Sequence, residues 1–330
     1  MSPVEASLLM VAYSLEIRGW KSWAVPPYIP DLTARTQDRR RKTAMTNWLI
    51  NTEELSDMLA RKPDNIVVLD CSWYLPEAGK HARDDFVKGH IPGARFIDLG
   101  DVSDPDSRYV NMLPAADLFA AHVGRLGIDN ETDLIIYDAG YVSCRLWWMF
   151  RTFGHDRSRI LNGGWRKWKA EGRPIETGAS APVAPRAFAA KLVPGKVVTL
   201  DEVRAAIDKD DATIVDARTA ARFDGLEGSG YPGVASGYMP GAINTPWAKF
   251  FDADKNFEFV SPDKARTVFE EAKADISGNV ITTCGSGVTA CILGFMVEQL
   301  GNPDWRLYDG SWHEWGQRED MPKLTRQPSH

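Results

Sequence analysis

Apolar residues in this chain fall in short, dense runs. Ile66-Val-Val-Leu-Asp70, Leu134-Ile-Ile-Tyr-Asp138, Thr213-Ile-Val-Asp216 and Val280-Ile-Thr-Thr-Cys284 each pass through apolar or β-branched residues and end on a polar or nucleophilic side chain. Runs this short with no polar alternation suit strands of a parallel sheet, buried on both faces. Between them, residues 52–59, 114–126, 200–207 and 262–272 set apolar side chains three and four apart, the helical period. The alternation predicts the α/β class, with a mainly parallel sheet and helices on both faces.

The pattern also repeats. Gly89-His-Ile-Pro-Gly-Ala94 answers Gly237-Tyr-Met-Pro-Gly-Ala242, and Leu161-Asn-Gly-Gly-Trp165 answers Tyr308-Asp-Gly-Ser-Trp312. The strand ends keep step as well, with 68 residues from Asp70 to Asp138 and 68 from Asp216 to Cys284. Two tandem units are expected, over residues 45–172 and 197–330, joined by a Pro/Ala-rich linker over 173–196. Residues 1–44 stand apart, with a short apolar patch, a Trp/Pro-rich stretch and the basic run Arg39-Arg-Arg-Lys42. Glu5, and no positive residue, precedes the apolar patch, so the segment reads as a disordered extension or an upstream start and not as a secretory signal.

Composition narrows the class of function. The chain has 330 residues, 44% hydrophobic and 25% charged, as in globular proteins with real cores. A net charge of −6 and a pI near 5.6 argue against nucleic acid or an anionic membrane as partner. Four irregularly spaced cysteines give neither a disulfide framework nor zinc-ligand spacing, so no metal or other cofactor is expected and a reducing, cytoplasmic setting is. No apolar run approaches a membrane span in length.

Candidate chemistry gathers at Cys284. The strand-like run ends there, Gly285-Ser-Gly287 turns the chain, and residues 288–300 read as a helix. That order puts a thiol at a helix N-terminus, where backbone N–H groups and the helix dipole favour an anion. Gly285 and Gly287 let the backbone fold around the sulfur with N–H groups facing inward. Cys71, Cys144 and Cys291 lie in or beside apolar runs and read as small core residues. A phosphatase loop would need arginine six positions after its cysteine; here that residue is Ala290. The first unit carries Asp138 where the second has Cys284, so it cannot do thiol chemistry and is expected to act as a non-catalytic wall of the site.

These residues resemble the family of tandem rhodanese-type sulfurtransferases. The resemblance rests on Cys284-Gly-Ser-Gly-Val-Thr-Ala290, Asp70-Cys-Ser-Trp-Tyr-Leu-Pro76, Gly89-His-Ile-Pro-Gly93, Met112-Leu-Pro114, Arg145-Leu-Trp-Trp-Met-Phe-Arg151 and Asp309-Gly-Ser-Trp312, and covers residues 47–316. It implies two rhodanese-like domains, the second catalytic. It also implies that the Cys284 thiolate takes sulfur from a small anionic donor, 3-mercaptopyruvate. The resulting persulfide would pass sulfur to a thiol such as thioredoxin or a small thiol, or to cyanide. Cys284 and Ser286 would be catalytic, and Arg222, Gly285, Gly287, Val288 and Thr289 would bind the donor. Arg222 would grip its carboxylate, while Arg218 would serve as a structural partner of Asp216. Ser286 has a second reading as a helix cap. The chain departs from the mercaptopyruvate pattern at Asn111, where a histidine is expected. It departs again around Gly100, where an aspartate is expected and Asp98 and Asp101 lie beside it, and over residues 225–237, which lack a second arginine. Thiosulfate sulfurtransferase activity, and a non-catalytic persulfide carrier, are the alternatives.

Overall fold

The computed structural model describes residues 48–61, 64–75 and 78–326; the extension expected over 1–44 lies outside them. In the first half, strand β1 (Leu49–Ile50) leads into helix α1 (Thr52–Ala60), capped by the Asn51 side chain on the Glu54 N–H. There follow β2 (Ile66–Asp70), α2 (Ala82–Lys88), β3 (Arg95–Phe96), α3 (Ala116–Arg125), β4 (Asp133–Tyr137), α4 (Ser143–Thr152), β5 (Ser158–Leu161) and α5 (Gly164–Ala170). The strands form a parallel sheet in the order β1-β5-β4-β2-β3.

The second half repeats this plan with β6 (Val197–Val198), α6 (Leu200–Lys209), β7 (Thr213–Asp216), α7 (Ala220–Asp224) and β8 (Ile243–Asn244). A small antiparallel pair, β9 (Phe251–Asp252) and β10 (Glu258–Phe259), precedes α8 (Pro262–Glu271), β11 (Val280–Thr283), α9 (Ala290–Gln299), β12 (Arg306–Tyr308) and α10 (Ser311–Trp315). Its sheet, again parallel, runs β6-β12-β11-β7-β8, the same order strand for strand. Local chemistry sets the helix starts: a Thr199/Glu202 capping box opens α6, and Ser261 followed by Pro262 opens α8. Thr219 caps α7, accepting from the Arg222 N–H.

The halves meet through the two helices that follow the central strands. Helices α4 and α9 are buried over almost their whole length and share one continuous core, with Trp147 edge-on to Phe295 at 4.9 Å. On α9, Gly294 leaves room for Trp305, since a Cβ there would stand 2.1 Å from its ring. Residues 173–196 form no helix or strand of length. They are nonetheless strapped to the first half, by backbone bonds from Arg186 to Gly124, Lys191 to Phe153 and Val193 to Thr152. Among the described residues no helix is long and apolar enough to cross a membrane.

Candidate active site

Cys284 lies at the C-terminal end of β11, the centre of the second sheet, where open α/β sheets place their sites. Its side chain is buried, and three hydrogen bonds lock the backbone around it. The Cys284 N–H donates to Ser311 Oγ (3.1 Å), its carbonyl accepts from the Trp312 N–H (2.9 Å), and the Gly285 carbonyl accepts from the His313 N–H (2.8 Å). Gly287 takes φ of +77°, a left-handed turn at which a side chain would strike Asp309 at 2.7 Å. The Cys291 thiol donates to the Gly287 carbonyl at 3.2 Å and braces the loop from below. Helix α9 begins at Ala290, two residues later than the expected start. Val288 and Thr289 therefore form a turn, their carbonyls accepting from the Cys291 and Ile292 N–H groups.

The first half shows what such a loop holds. The Asp138 carboxylate folds back into its own loop and accepts from the backbone N–H groups of Gly140, Val142 (2.7 Å) and Ser143. Burial pushes this carboxyl up, against the three N–H groups that favour its charged form. Counted in step from Asp138 and Cys284, those amides correspond to Ser286, Val288 and Thr289. Among the described residues none of the three donates to another part of the chain. The same succession of N–H groups holds a carboxylate in one half and follows the cysteine in the other.

Ser286 does not cap the helix. The residue before α9 is Thr289, which makes no side-chain cap, and Ser286 Oγ instead accepts from Asn111 Nδ2 of the first half at 3.2 Å. Asn111 thus stands where the histidine was expected. Among the described residues Asp98 accepts from the Gly100 N–H and Asp101 pairs with Arg83, so neither joins this contact. A second hydroxyl, Tyr231, lies within 3.1 Å of where a Gly285 Cβ would be, and the Ser286 hydroxyl is near enough to favour its charged form. Burial pushes the Tyr231 phenol up, so it keeps its proton. The His313 ring meets it edge-on at 4.7 Å. Burial, aided by the charge of Arg108, holds that imidazole below its usual value and neutral near pH 7.

Arg222 lies on α7, half-buried, with its guanidinium against Gly230, where a Cβ would come within 3.0 Å. Its positive charge acts on Tyr231 and favours the charged form of that phenol. Among the described residues the Arg222 guanidinium has no hydrogen-bond or ion-pair partner. Arg218, by contrast, is buried and committed to Asp216 at 2.7 Å and to the Gly237 carbonyl.

Beneath the loop runs a buried tie between the halves. Arg145 Nη1 pairs with Asp309 Oδ1 at 2.5 Å and Nη2 donates to the Asn111 carbonyl at 2.5 Å, while Asp309 Oδ2 accepts from the Leu113 N–H at 2.6 Å. Cys71, Cys144 and Cys291 are fully buried, and burial pushes all three thiols up. Tyr231, His313 and the Arg145–Asp309 pair carry no expected role in the sequence reading. Arg145 and Asp309 do stand inside motifs that mark the resemblance, whereas Tyr231 sits in a glycine-rich stretch with no local signal.

The model of the rhodanese-like domain matches this chain twice, over residues 51–171 and 199–318. The chain is 40% identical over 270 residues to the 3-mercaptopyruvate sulfurtransferase of Homo sapiens, covering 80% of this chain and 90% of that protein. It is 37% identical over 281 residues to the thiosulfate sulfurtransferase of Gallus gallus, covering 83% and 95%. The crystal structure of the 3-mercaptopyruvate sulfotransferase SseA from Escherichia coli superposes with a TM-score of 0.73 at 32% identity, covering 81% of this chain and 99% of that one. Two matched domains and full-length likeness to enzymes of one kind agree with the doubled sheet: the chain belongs to the rhodanese-like family, as a tandem-domain sulfurtransferase.

Proposed function

We propose that the chain moves sulfur from 3-mercaptopyruvate, through a persulfide on Cys284, to a thiol or cyanide. The observation that carries this reading is the run of N–H groups at Ser286, Val288 and Thr289, which donate to no other described residue, whereas their counterparts in the first half hold the Asp138 carboxylate. An outer persulfide sulfur is an anion of the right placement for those N–H groups. In this reading the Cys284 thiolate bonds to the donor sulfur, the sulfur–carbon bond breaks, and pyruvate leaves. Arg222, with no partner of its own, takes the donor carboxylate. The Gly285-Ser-Gly287 loop, with Val288 and Thr289, holds the persulfide without adding charge. The first domain, residues 45–172, supplies Asn111 to the site and no nucleophile; the linker is 173–196 and the catalytic domain 197–330. Thiosulfate is the second donor we consider, favoured by the match to the thiosulfate sulfurtransferases and by Asn111 in place of histidine. We place the protein in a reducing compartment, the cytoplasm, with thioredoxin or a small thiol as acceptor; fractionation that finds it elsewhere overturns that assignment.

The test is direct. Purified protein is incubated with each donor and its intact mass followed for the gain of one sulfur atom, with kcat/KM then compared between donors. Loading from 3-mercaptopyruvate that Cys284→Ser abolishes is the expected result. No gain from either donor overturns the enzyme reading, and gain from thiosulfate alone overturns the donor.

A further inference from the structure

We propose that Tyr231 is a catalytic hydrogen-bond donor, one that meets the ketone oxygen of a 2-oxo-3-thiol carboxylate and so sets the preference for that donor class. The inference deepens the mercaptopyruvate reading and rests on it. Among the polar groups described around the loop, most are already engaged. Asn111 spends its amide nitrogen on Ser286 at 3.2 Å. His313 turns Nδ1 toward the Val110 N–H at 3.4 Å and has Gln317 alongside at 3.3 Å. An amide nitrogen can only donate, so the Ser286 oxygen accepts, and the Ser286 proton is available to the Tyr231 oxygen. Among the described residues the phenol donates to no other group, and its oxygen lies over Gly285, the residue after Cys284. A Ser286 proton turned toward that oxygen makes the phenol a better donor. The His313 ring at 4.7 Å fixes the phenol ring.

The chemistry needs such a group for one donor class only. With a 2-oxo-3-thiol carboxylate, the Cys284 thiolate forms the sulfur–sulfur bond as the bond from sulfur to C3 breaks. The bonding pair passes to C3 and is delocalised as an enolate, with negative charge on the ketone oxygen. The thiol proton of the transferred sulfur ends on C3, leaving the Cys284 persulfide anion and pyruvate. A protonated hydroxyl aimed at the ketone oxygen stabilises the charge as it develops. With thiosulfate, sulfite leaves carrying the bonding pair, no ketone oxygen gains charge, and no proton moves.

The experiment measures kcat and KM for both donors on the full chain, wild type against Tyr231→Phe, which keeps the ring beside His313. Expected is a fall in kcat with 3-mercaptopyruvate on the order of a hundredfold, and a much smaller change with thiosulfate, so the ratio of the two kcat/KM values drops by about tenfold or more. Ser286→Ala, which removes the hydroxyl that favours the phenol's charged form but leaves the phenol, shifts the ratio the same way by less. Equal slowing of both donors, or a mercaptopyruvate kcat within about threefold of wild type, overturns the role of Tyr231 while leaving the donor assignment standing. A wild-type protein that takes no sulfur from 3-mercaptopyruvate overturns the donor assignment, and this proposal with it.

Discussion

Replacing Asp309 with asparagine tests the tie between the domains. The Arg145 side chain has no solvent exposure and that of Asp309 is 2% exposed, so the pair lies wholly out of water. Its guanidinium holds Asp309 and the Asn111 carbonyl and lies over the Trp148 ring at 4.6 Å. Asp309→Asn keeps the shape and still accepts from the Leu113 N–H, but leaves the Arg145 charge buried and uncompensated. Breaking a buried pair from one side costs about 3–5 kcal/mol, the range expected here because the one amide oxygen cannot serve both the Leu113 N–H and Arg145. An exposed pair would cost about 0–1 kcal/mol, so the two cases separate cleanly. Denaturant unfolding followed by tryptophan fluorescence reads the difference as the midpoint shift times the slope. The shared core of α4 and α9 favours a single transition. A loss below about 1 kcal/mol would refute the claim that this pair bears an unscreened charge. The double replacement Arg145→Met with Asp309→Leu should recover much of the loss, because no lone charge remains.

Other outcomes follow from the same geometry. Gly287→Ala combines a left-handed φ with a 2.7 Å approach to Asp309, so sulfur loading should fall more than tenfold, by mass assay, while unfolding shifts by about 1–3 kcal/mol. Arg222→Ala should raise KM for the donor with kcat changed little; an unchanged KM removes Arg222 from the site. Asp70, deeply buried, has its carboxyl raised from 3.8 to about 6, chiefly by desolvation that outweighs its bonds from Ser72. The folded state therefore binds this proton more tightly than the unfolded chain. Its contribution is full below about pH 4 and is lost as pH rises through about 6, on the order of 2–3 kcal/mol. Asp70→Asn should flatten that fall in unfolding measurements across the window; an unchanged slope refutes it.

The α/β class and the internal repeat were legible in the residues alone. The runs at Ile66–Asp70 and Thr213–Asp216 are strands residue for residue, and Val280–Thr283 stops one residue short of Cys284. Buried parallel strands must be apolar throughout and their helices must keep a 3.6 period, so both leave local marks. Cys284, Gly285 and Gly287 were legible for the same reason, since a strand–turn–helix junction is written in consecutive residues. The remaining site contacts join residues far apart in the chain. Asn111 reaches Ser286 across a sequence separation of 175, Arg145 reaches Asp309 across one of 164, and His313 comes to Tyr231 from a helix after the last strand. None of these contacts has a period or spacing, because folding two sheets against one shared core sets them. Tyr231 is the clearest case: nothing beside it in sequence marks it as a site residue, and only the packing of residues 229–231 over Gly285 brings its hydroxyl to the loop.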